Sequence, residues 1–104
     1  MESKEKSRLD LTAELLKAIG HPMRLAMLEA LKQGPRCVCE LAESLGLNKS
    51  VASKHLSLLY DVGVLNLEKK GTQVFYTLMT PCVVEMSQCS YLSVVNQKKL
   101  RLNL

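Results

Sequence analysis

The sequence predicts a mainly α-helical domain that carries one small β-hairpin. Apolar residues recur at helical spacing along most of the chain, whereas residues 64–78 contain two β-type runs around one glycine. Leu, Ala and Met are prominent in a chain that is 47% hydrophobic, and its only aromatic residues are three tyrosines and one phenylalanine, a composition that favours helices. The 104 residues suffice for one domain with a modest core, small enough to gain stability from dimerisation.

The charge and the cysteines limit the classes of function. A net charge of +4 is compatible with a polyanionic partner such as nucleic acid. Four clustered cysteines are too few for a secreted disulfide scaffold, and residues 1–10 are charged without an apolar signal core. No apolar run approaches the roughly 18 residues that span a bilayer. We therefore expect a cytoplasmic protein without membrane contact, whose thiols are free for metal or redox chemistry.

Two helices are predicted in the first third of the chain. We expect residues 1–8 to be frayed and a first helix to follow at residues 9–19. Glycine, histidine and proline at positions 20–22 end this helix and start the next one, which runs over residues 23–31. His21 is accordingly interpreted as a residue that starts a helix rather than as a metal ligand.

Residues 37–62 predict two helices that are joined by a tight turn. An apolar stripe runs from Val38 to Leu45 at helical spacing, and Gly46 suits the left-handed residue that ends a helix. Asn48 offers a side-chain oxygen that caps the second helix, whose other face is polar and basic. This is the layout of a helix-turn-helix whose second helix fits the major groove of DNA. The predicted DNA contacts in this helix are Asn48, Lys49, Ser50, Ser53, Lys54, His55 and Ser57.

Residues 64–78 predict a hairpin, and residues 82–97 predict a last helix. Lys69 and Lys70 lie at the predicted hairpin tip, from which they would contact phosphates or the minor groove of DNA. Two interpretations of His55 stay open, a contact with a base or phosphate and packing at the edge of the core. Because the chain has no internal repeat and no linker, we expect residues 1–104 to form one domain.

Two cysteines open the first helix of the helix-turn-helix. In a regular helix residues i and i+2 point about 200° apart, so Cys37 and Cys39 chelate one ion only if the first turn leaves helical geometry. Such a change disturbs the helix that supports the DNA-contacting helix, so binding of an ion would affect binding of DNA. Thiolates select soft ions, which indicates the class of ion. Two further thiols, Cys82 and Cys89, lie about 10.5 Å apart on one face of the last helix, too far to chelate one ion within it. The alternative for both pairs is packing as small hydrophobic side chains.

The order helix, helix, helix-turn-helix, hairpin, helix describes a winged helix with an extra helix at each end. From Leu11 to Val95 the chain resembles the ArsR/SmtB family of metal-responsive bacterial repressors. The matching motifs are Gly20-His21-Pro22-Met23-Arg24-Leu25, Cys37-Val38-Cys39-Glu40-Leu41 and Ser53-Lys54-His55-Leu56-Ser57-Leu58-Leu59. The resemblance implies a homodimer that represses an operon for metal resistance or export and is released when metal binds. It also implies that residues 9–19 and 82–97 pair between protomers, through Leu11, Leu15, Ile19, Val83, Met86, Leu92 and Val95.

The resemblance also indicates an inducer. Family members that respond to arsenite or antimonite carry a Cys-Val-Cys pair at this position, which implies that As(III) or Sb(III) binds to Cys37 and Cys39. Ala42 stands where such members often have a third cysteine. The third thiolate would then come from Cys82, from Cys89, from a partner chain or from a small-molecule thiol. Cd, Pb and Zn are the alternative inducers.

Two further functions stay open. One is a thiol redox or persulfide switch on the same fold, and the other is a winged-helix protein-interaction module with structural cysteines. The sequence has neither a glycine-rich phosphate loop nor a Cys/His pair with an orienting acid at a recognisable spacing. We therefore do not expect an enzyme.

Overall fold

The computed structural model describes residues 6–103, which form five helices and three strands. In chain order they are α1 (Arg8–Ile19), α2 (Pro22–Leu31), β1 (Arg36–Cys37), α3 (Val38–Leu45), α4 (Lys49–Asp61), β2 (Leu65–Lys70), β3 (Gln73–Leu78) and α5 (Pro81–Leu102). The helices α3 and α4 form the helix-turn-helix, and β2 with β3 forms the wing. The predicted fold class, a winged helix-turn-helix with an additional helix at each end, is confirmed.

The sheet has one strand more than the predicted hairpin. Its antiparallel order is β1-β3-β2, with Arg36 opposite Tyr76 and Cys37 opposite Phe75. A strand of two residues is too short to show alternation of apolar and polar residues, so the sequence pattern did not predict it. The turn between β2 and β3 uses Gly71 at a φ of 64°, a left-handed conformation that glycine adopts at little cost.

Both ends of the described chain are more helical than predicted. Ser7 caps α1, since its hydroxyl accepts a hydrogen bond from the Asp10 backbone N–H at 3.1 Å, and Arg8 is already helical. The prediction that residues 1–8 are frayed is therefore wrong for Ser7 and Arg8, while residues 1–5 lie outside the described part. At the other end α5 continues to Leu102, five residues beyond the predicted end at residue 97.

The core lies where α2, α3 and α4 meet the base of the wing. Its largest fully buried side chains are Met27, Leu28, Leu31, Leu41, Leu56, Leu59, Val64 and Val84. Ile19 and Val83 were predicted to contact a partner protomer, but both are buried in this core. Ile19 is the last residue of α1 and Val83 lies in the first turn of α5. Both are buried within the protomer because these ends of the two helices pack against its core. No helix within residues 6–103 is both long and apolar enough to cross a membrane.

The helices α1 and α5 carry apolar side chains on the surface. Tyr91 and Leu92 are each 66% exposed in the middle of α5. The other exposed large apolar residues of the two helices are Leu9, Leu11, Leu16, Met86, Val94, Leu100 and Leu102. A groove of about 540 Å³ runs between the α1–α2 junction and α5. The radius of gyration is 16.4 Å, whereas a solitary domain of this length is expected at about 13 Å.

Candidate nucleic-acid interface and thiol site

The helix-turn-helix is formed by the local signals that predicted it. Gly46 ends α3 at a φ of 68°, and the Asn48 side-chain oxygen accepts a hydrogen bond from the Val51 N–H at 2.8 Å. On the inner side of α4, which we call the recognition helix, Ala52, Leu56 and Leu59 are fully buried. On its outer side Lys49, Ser50, Lys54 and Ser57 are exposed and Ser53 is half-buried. These five residues form a polar and basic face.

His55 lies apart from that face. Its ring is half-buried, and its Nδ1 accepts a hydrogen bond from the Arg24 Nε–H at 3.1 Å. Its centroid lies 4.9 Å from that of the His21 ring. Of the two interpretations of His55, the structure shows packing at the edge of the core. His21 caps α2, as predicted, because its Nδ1 accepts a hydrogen bond from the Met23 N–H at 3.0 Å.

The two lysines of the wing lie in β2 rather than in the turn. Lys69 pairs with Val74, and Lys70 pairs with Gln73 at the end of the strand. Because successive side chains of a strand point to opposite faces, the two lysines project from different sides of the wing. The Lys70 ammonium lies 5.5 Å from the centroid of the Phe75 ring, within the range of a cation–π contact.

The two thiols of the Cys-x-Cys pair differ in setting. Cys37 is 4% exposed and extended, with φ −82° and ψ 162°, and it occupies the N-cap position of α3. Its backbone N–H donates a hydrogen bond to the Glu40 carboxylate at 3.1 Å. Cys39 lies in the first turn of α3 and is exposed. The premise that both cysteines lie within a helix is therefore wrong, since only Cys39 is helical.

Both cysteines line one small cavity of about 140 Å³, which we call the thiol cavity. Its lining residues are Cys37, Val38, Cys39, Lys49, Ser53, Thr72, Gln73 and Val74. The cavity therefore lies between the first turn of α3, the first turns of the recognition helix and the tip of the wing. The sequence did not predict Thr72, Gln73 and Val74 as neighbours of the two cysteines, because only the tertiary fold brings the wing back to α3.

Comparisons with known proteins place this fold in a family. The family model described as Bacterial regulatory protein, arsR family, matches residues 21–66. An uncharacterized HTH-type transcriptional regulator of Methanocaldococcus jannaschii is 36% identical over 87 residues, which cover 83% of this chain and 92% of that protein. The chain belongs to the ArsR family.

A second relative of this ArsR-family chain is the HTH-type transcriptional repressor SmtB of Mycobacterium tuberculosis. It is 39% identical over 70 residues, which are 67% of this chain and 52% of that protein, so the chain spans about half of its length. A solved homodimeric winged helix-turn-helix DNA-binding domain of a possible ArsR-family regulator from Mycobacterium bovis has a TM-score of 0.71 and 28% identity, covering 95% of this chain and 94% of that one. These relatives are transcriptional regulators, which agrees with the prediction that the protein is not an enzyme.

The thiol cavity of this ArsR-family chain offers two donors to a soft ion. Within residues 6–103 no three side chains of His, Cys, Asp or Glu are grouped so that they could hold a metal ion. Ala42, at the position where the resemblance led us to look for a third cysteine, is buried in the core. Cys82 and Cys89 are exposed on α5 and do not line the thiol cavity. A single protomer therefore provides two thiols there, and a trigonal ion requires a third donor from elsewhere.

Proposed function

We propose that this chain is a cytoplasmic, homodimeric transcriptional repressor that binds operator DNA and is released when As(III) or Sb(III) binds to Cys37 and Cys39. The thiol cavity carries this proposal, because both cysteines line the space between the recognition helix and the wing. A winged helix contacts DNA through those two elements. An ion in this cavity therefore acts directly on the DNA-contacting surface.

The exposed face of the recognition helix supports the DNA-binding part of the proposal. Lys49 and Lys54 provide positive charge for phosphates, while the serine hydroxyls of the same face can donate to phosphates or base edges. The Asn48 oxygen is engaged in the helix cap, so its amide N–H groups remain for DNA. Lys69 and Lys70 extend the basic surface along the wing.

The exposed apolar face of α1 and α5 supports the dimer. Leu11, Met86, Leu92 and Tyr91 are exposed there in the protomer, and covering them with a second copy removes apolar surface from water. Homodimerisation of the structurally similar Mycobacterium bovis domain supports the same arrangement. A two-fold dimer presents two recognition helices to successive half-sites of an operator.

The chemistry of the donors supports a soft inducer. Thiolate sulfur prefers soft ions, and two cysteines line one cavity. An ion held by both thiolates would tie the first turn of α3 to the buried Cys37 in the cavity that Lys49 and Ser53 also line. The third arm of a trigonal As(III) or Sb(III) site comes from Cys82, Cys89, the partner protomer or a small-molecule thiol. Cd, Pb and Zn are the alternatives for a site with a different donor set.

Titration of a protein–operator complex tests the proposal. The reduced protein, freed of reductant, is bound to a labelled duplex from the region upstream of its own gene, and fluorescence anisotropy follows release. We expect release by arsenite or antimonite at about one ion per protomer. Release by cadmium, lead or zinc alone would assign the alternative inducers, and release by peroxide alone would assign the redox switch. A protein that binds no duplex would instead be the protein-interaction module.

A further inference from the structure

Arg24 connects three helices through one guanidinium group. Its Nη1 donates a hydrogen bond to the Ala18 carbonyl at 3.0 Å, in the last turn of α1. Its Nε donates to His55 Nδ1 at 3.1 Å, in the recognition helix. Arg24 itself belongs to the first turn of α2, and both bonds are partly buried. The fixed fork of a guanidinium makes two such bonds at once, which an ammonium group does less well.

The His55 bond requires a neutral ring. Because Nδ1 accepts a hydrogen bond from Arg24, the ring proton must lie on Nε2. Burial, and then the charges of Arg24 and His21, lower the pKa of His55 below its usual 6.5. The groups that face the ring are Arg24 and His21 from α2. Glu14 and Lys17 of α1 border the neighbouring cavity beside Arg24.

The same turn of α2 also borders α5. Leu25 follows Arg24 in the chain and borders the grooves that are lined by Tyr91 of α5. The first turn of α2 therefore holds the recognition helix through Arg24 and faces the helix with the exposed apolar surface through Leu25. Among residues 6–103, the Arg24–His55 bond is the one side-chain hydrogen bond that joins α2 to α4, and the His21 ring packs beside it with its centroid 4.9 Å from that of His55.

We propose that Arg24 and neutral His55 are positioning residues, which fix the recognition helix against the α1–α2 junction in its DNA-binding orientation. This inference rests on the proposed binding of operator DNA. Protonation of His55 places an N–H at Nδ1 against the Arg24 guanidinium and breaks the bond between them. Acidification therefore weakens operator binding. A histidine that itself contacted phosphate would do the opposite, because protonation would add positive charge towards the DNA.

The pH dependence of operator affinity tests the inference by its sign. The chain has two histidines, and His21→Asn removes the other one while keeping a side-chain oxygen that can cap α2. In this background we measure operator affinity at fixed salt from about pH 7.5 to about 5.5, a range that brackets the usual histidine pKa. We expect affinity to fall about tenfold, the order of one broken hydrogen bond to a charged group. Adding His55→Gln, which does not titrate in this range and whose amide oxygen can accept from Arg24, should flatten the profile.

A second variant tests Arg24 without changing charge. Arg24→Lys keeps the cation but lacks the fork, so operator affinity at pH 7.5 should fall about tenfold while helicity and dimerisation are retained. Three results would each overturn the inference. The first is stronger operator binding on acidification that depends on His55, and the second is a pH profile that His55→Gln leaves the same as that of its parent. The third is normal operator affinity of Arg24→Lys. If His21→Asn is not folded, the comparison is made between the wild type and His55→Gln. Absence of operator binding by the wild type at pH 7.5 would overturn the proposed function, and this inference with it.

Discussion

Lys69 and Lys70 are consecutive residues of β2 that project from opposite faces of the wing. Lys69 shares its face with Val74, which borders the thiol cavity. Lys70 lies on the other face, with its ammonium 5.5 Å from the centroid of the Phe75 ring. The two charges therefore lie on different sides of the wing, which has a two-sided basic edge rather than a basic tip.

The wing is expected to contribute affinity without sequence preference. Replacing Lys69 and Lys70 by alanine should weaken binding to the operator and to an unrelated duplex by the same factor, since phosphate contacts carry no base information. The slope of log affinity against log salt should fall by about 0.9 for each phosphate that the protein no longer neutralises. Anisotropy titrations on both duplexes at several salt concentrations measure this. Weaker binding that is confined to the operator would mean that the wing contacts base edges.

The recognition helix is expected to bind less tightly when its lysines are removed. Lys49→Ala with Lys54→Ala should lower operator affinity and reduce the salt slope by the amount expected for about two phosphates. Lys32, an exposed lysine just after α2, provides the matched control, because Lys32→Ala removes an exposed charge that belongs neither to the recognition helix nor to the wing. Equal affinity and equal salt slope for the double variant and the wild type would contradict the assignment of α4 as the recognition helix.

The thiols of the α3 site are expected to be needed for release rather than for DNA binding. Cys37→Ser and Cys39→Ser should bind the operator normally and fail to dissociate with arsenite. A 10- to 100-fold change in operator affinity corresponds to about 1.4–2.7 kcal/mol of coupling. Because Cys37 is buried, Cys37→Ala serves as a second variant that introduces no buried hydroxyl. Cys82→Ser and Cys89→Ser should have smaller effects unless one of them supplies the third donor. If both α3 variants release operator DNA normally with arsenite and an α5 variant does not, the sensing site lies on α5 rather than on α3.

The exposed face of α5 is expected to hold the dimer together. Tyr91→Glu places a charge in the middle of that face, so the protein should sediment as a monomer and bind the operator at least tenfold more weakly, since a monomer contacts one half-site. Tyr60 is 42% exposed at the end of α4. Tyr60→Glu is therefore the matched control and should remain dimeric in analytical ultracentrifugation. A dimeric Tyr91→Glu protein would exclude this face as the interface.

The stability of the fold is expected to decrease in acid through His55. Its pKa is lowered in the folded protein by burial and by the neighbouring charges of Arg24 and His21. The unfolded chain therefore binds a proton at higher pH than the folded chain, and acidification favours unfolding. The contribution of His55 is complete above about pH 6.5 and is lost as the pH falls through its lower folded value. Urea unfolding measures the free energy of unfolding of the wild type and of His55→Gln at each pH. Above about pH 6.5 the two proteins should depend on pH in the same way, and below it the free energy of unfolding should fall more steeply in the wild type. A difference in the free energy of unfolding between the two proteins that stays constant at all pH values would contradict this prediction.

The elements that sequence predicted well depend on neighbours in the chain. Gly46 and Asn48 end and start helices through contacts that reach no further than four residues, so their roles were visible in the sequence. The cap formed by Ser7 and Asp10 has the same short range and carries the spacing of a capping box, but the many charges of the N-terminal stretch suggested fraying instead.

The features that sequence missed depend on distant contacts. Cys37 is extended because it pairs with Phe75, which lies far along the chain, and a two-residue strand leaves no periodic signal. His55 turns towards Arg24, a partner 31 residues away, although its place in α4 also allowed an outward position. The thiol cavity likewise exists only after the wing has folded back over α3.

As a dimer interface, the exposed face of α1 and α5 would make the activity of the proposed repressor depend steeply on its concentration. If the protomer reaches the operator only as a pair, the amount of active species at low expression rises with the square of the protomer concentration rather than in proportion to it. A twofold drop in synthesis then removes about three quarters of the active pairs. The amount of the proposed DNA-binding dimer would therefore respond steeply to small changes in synthesis of the protomer, without any inducer.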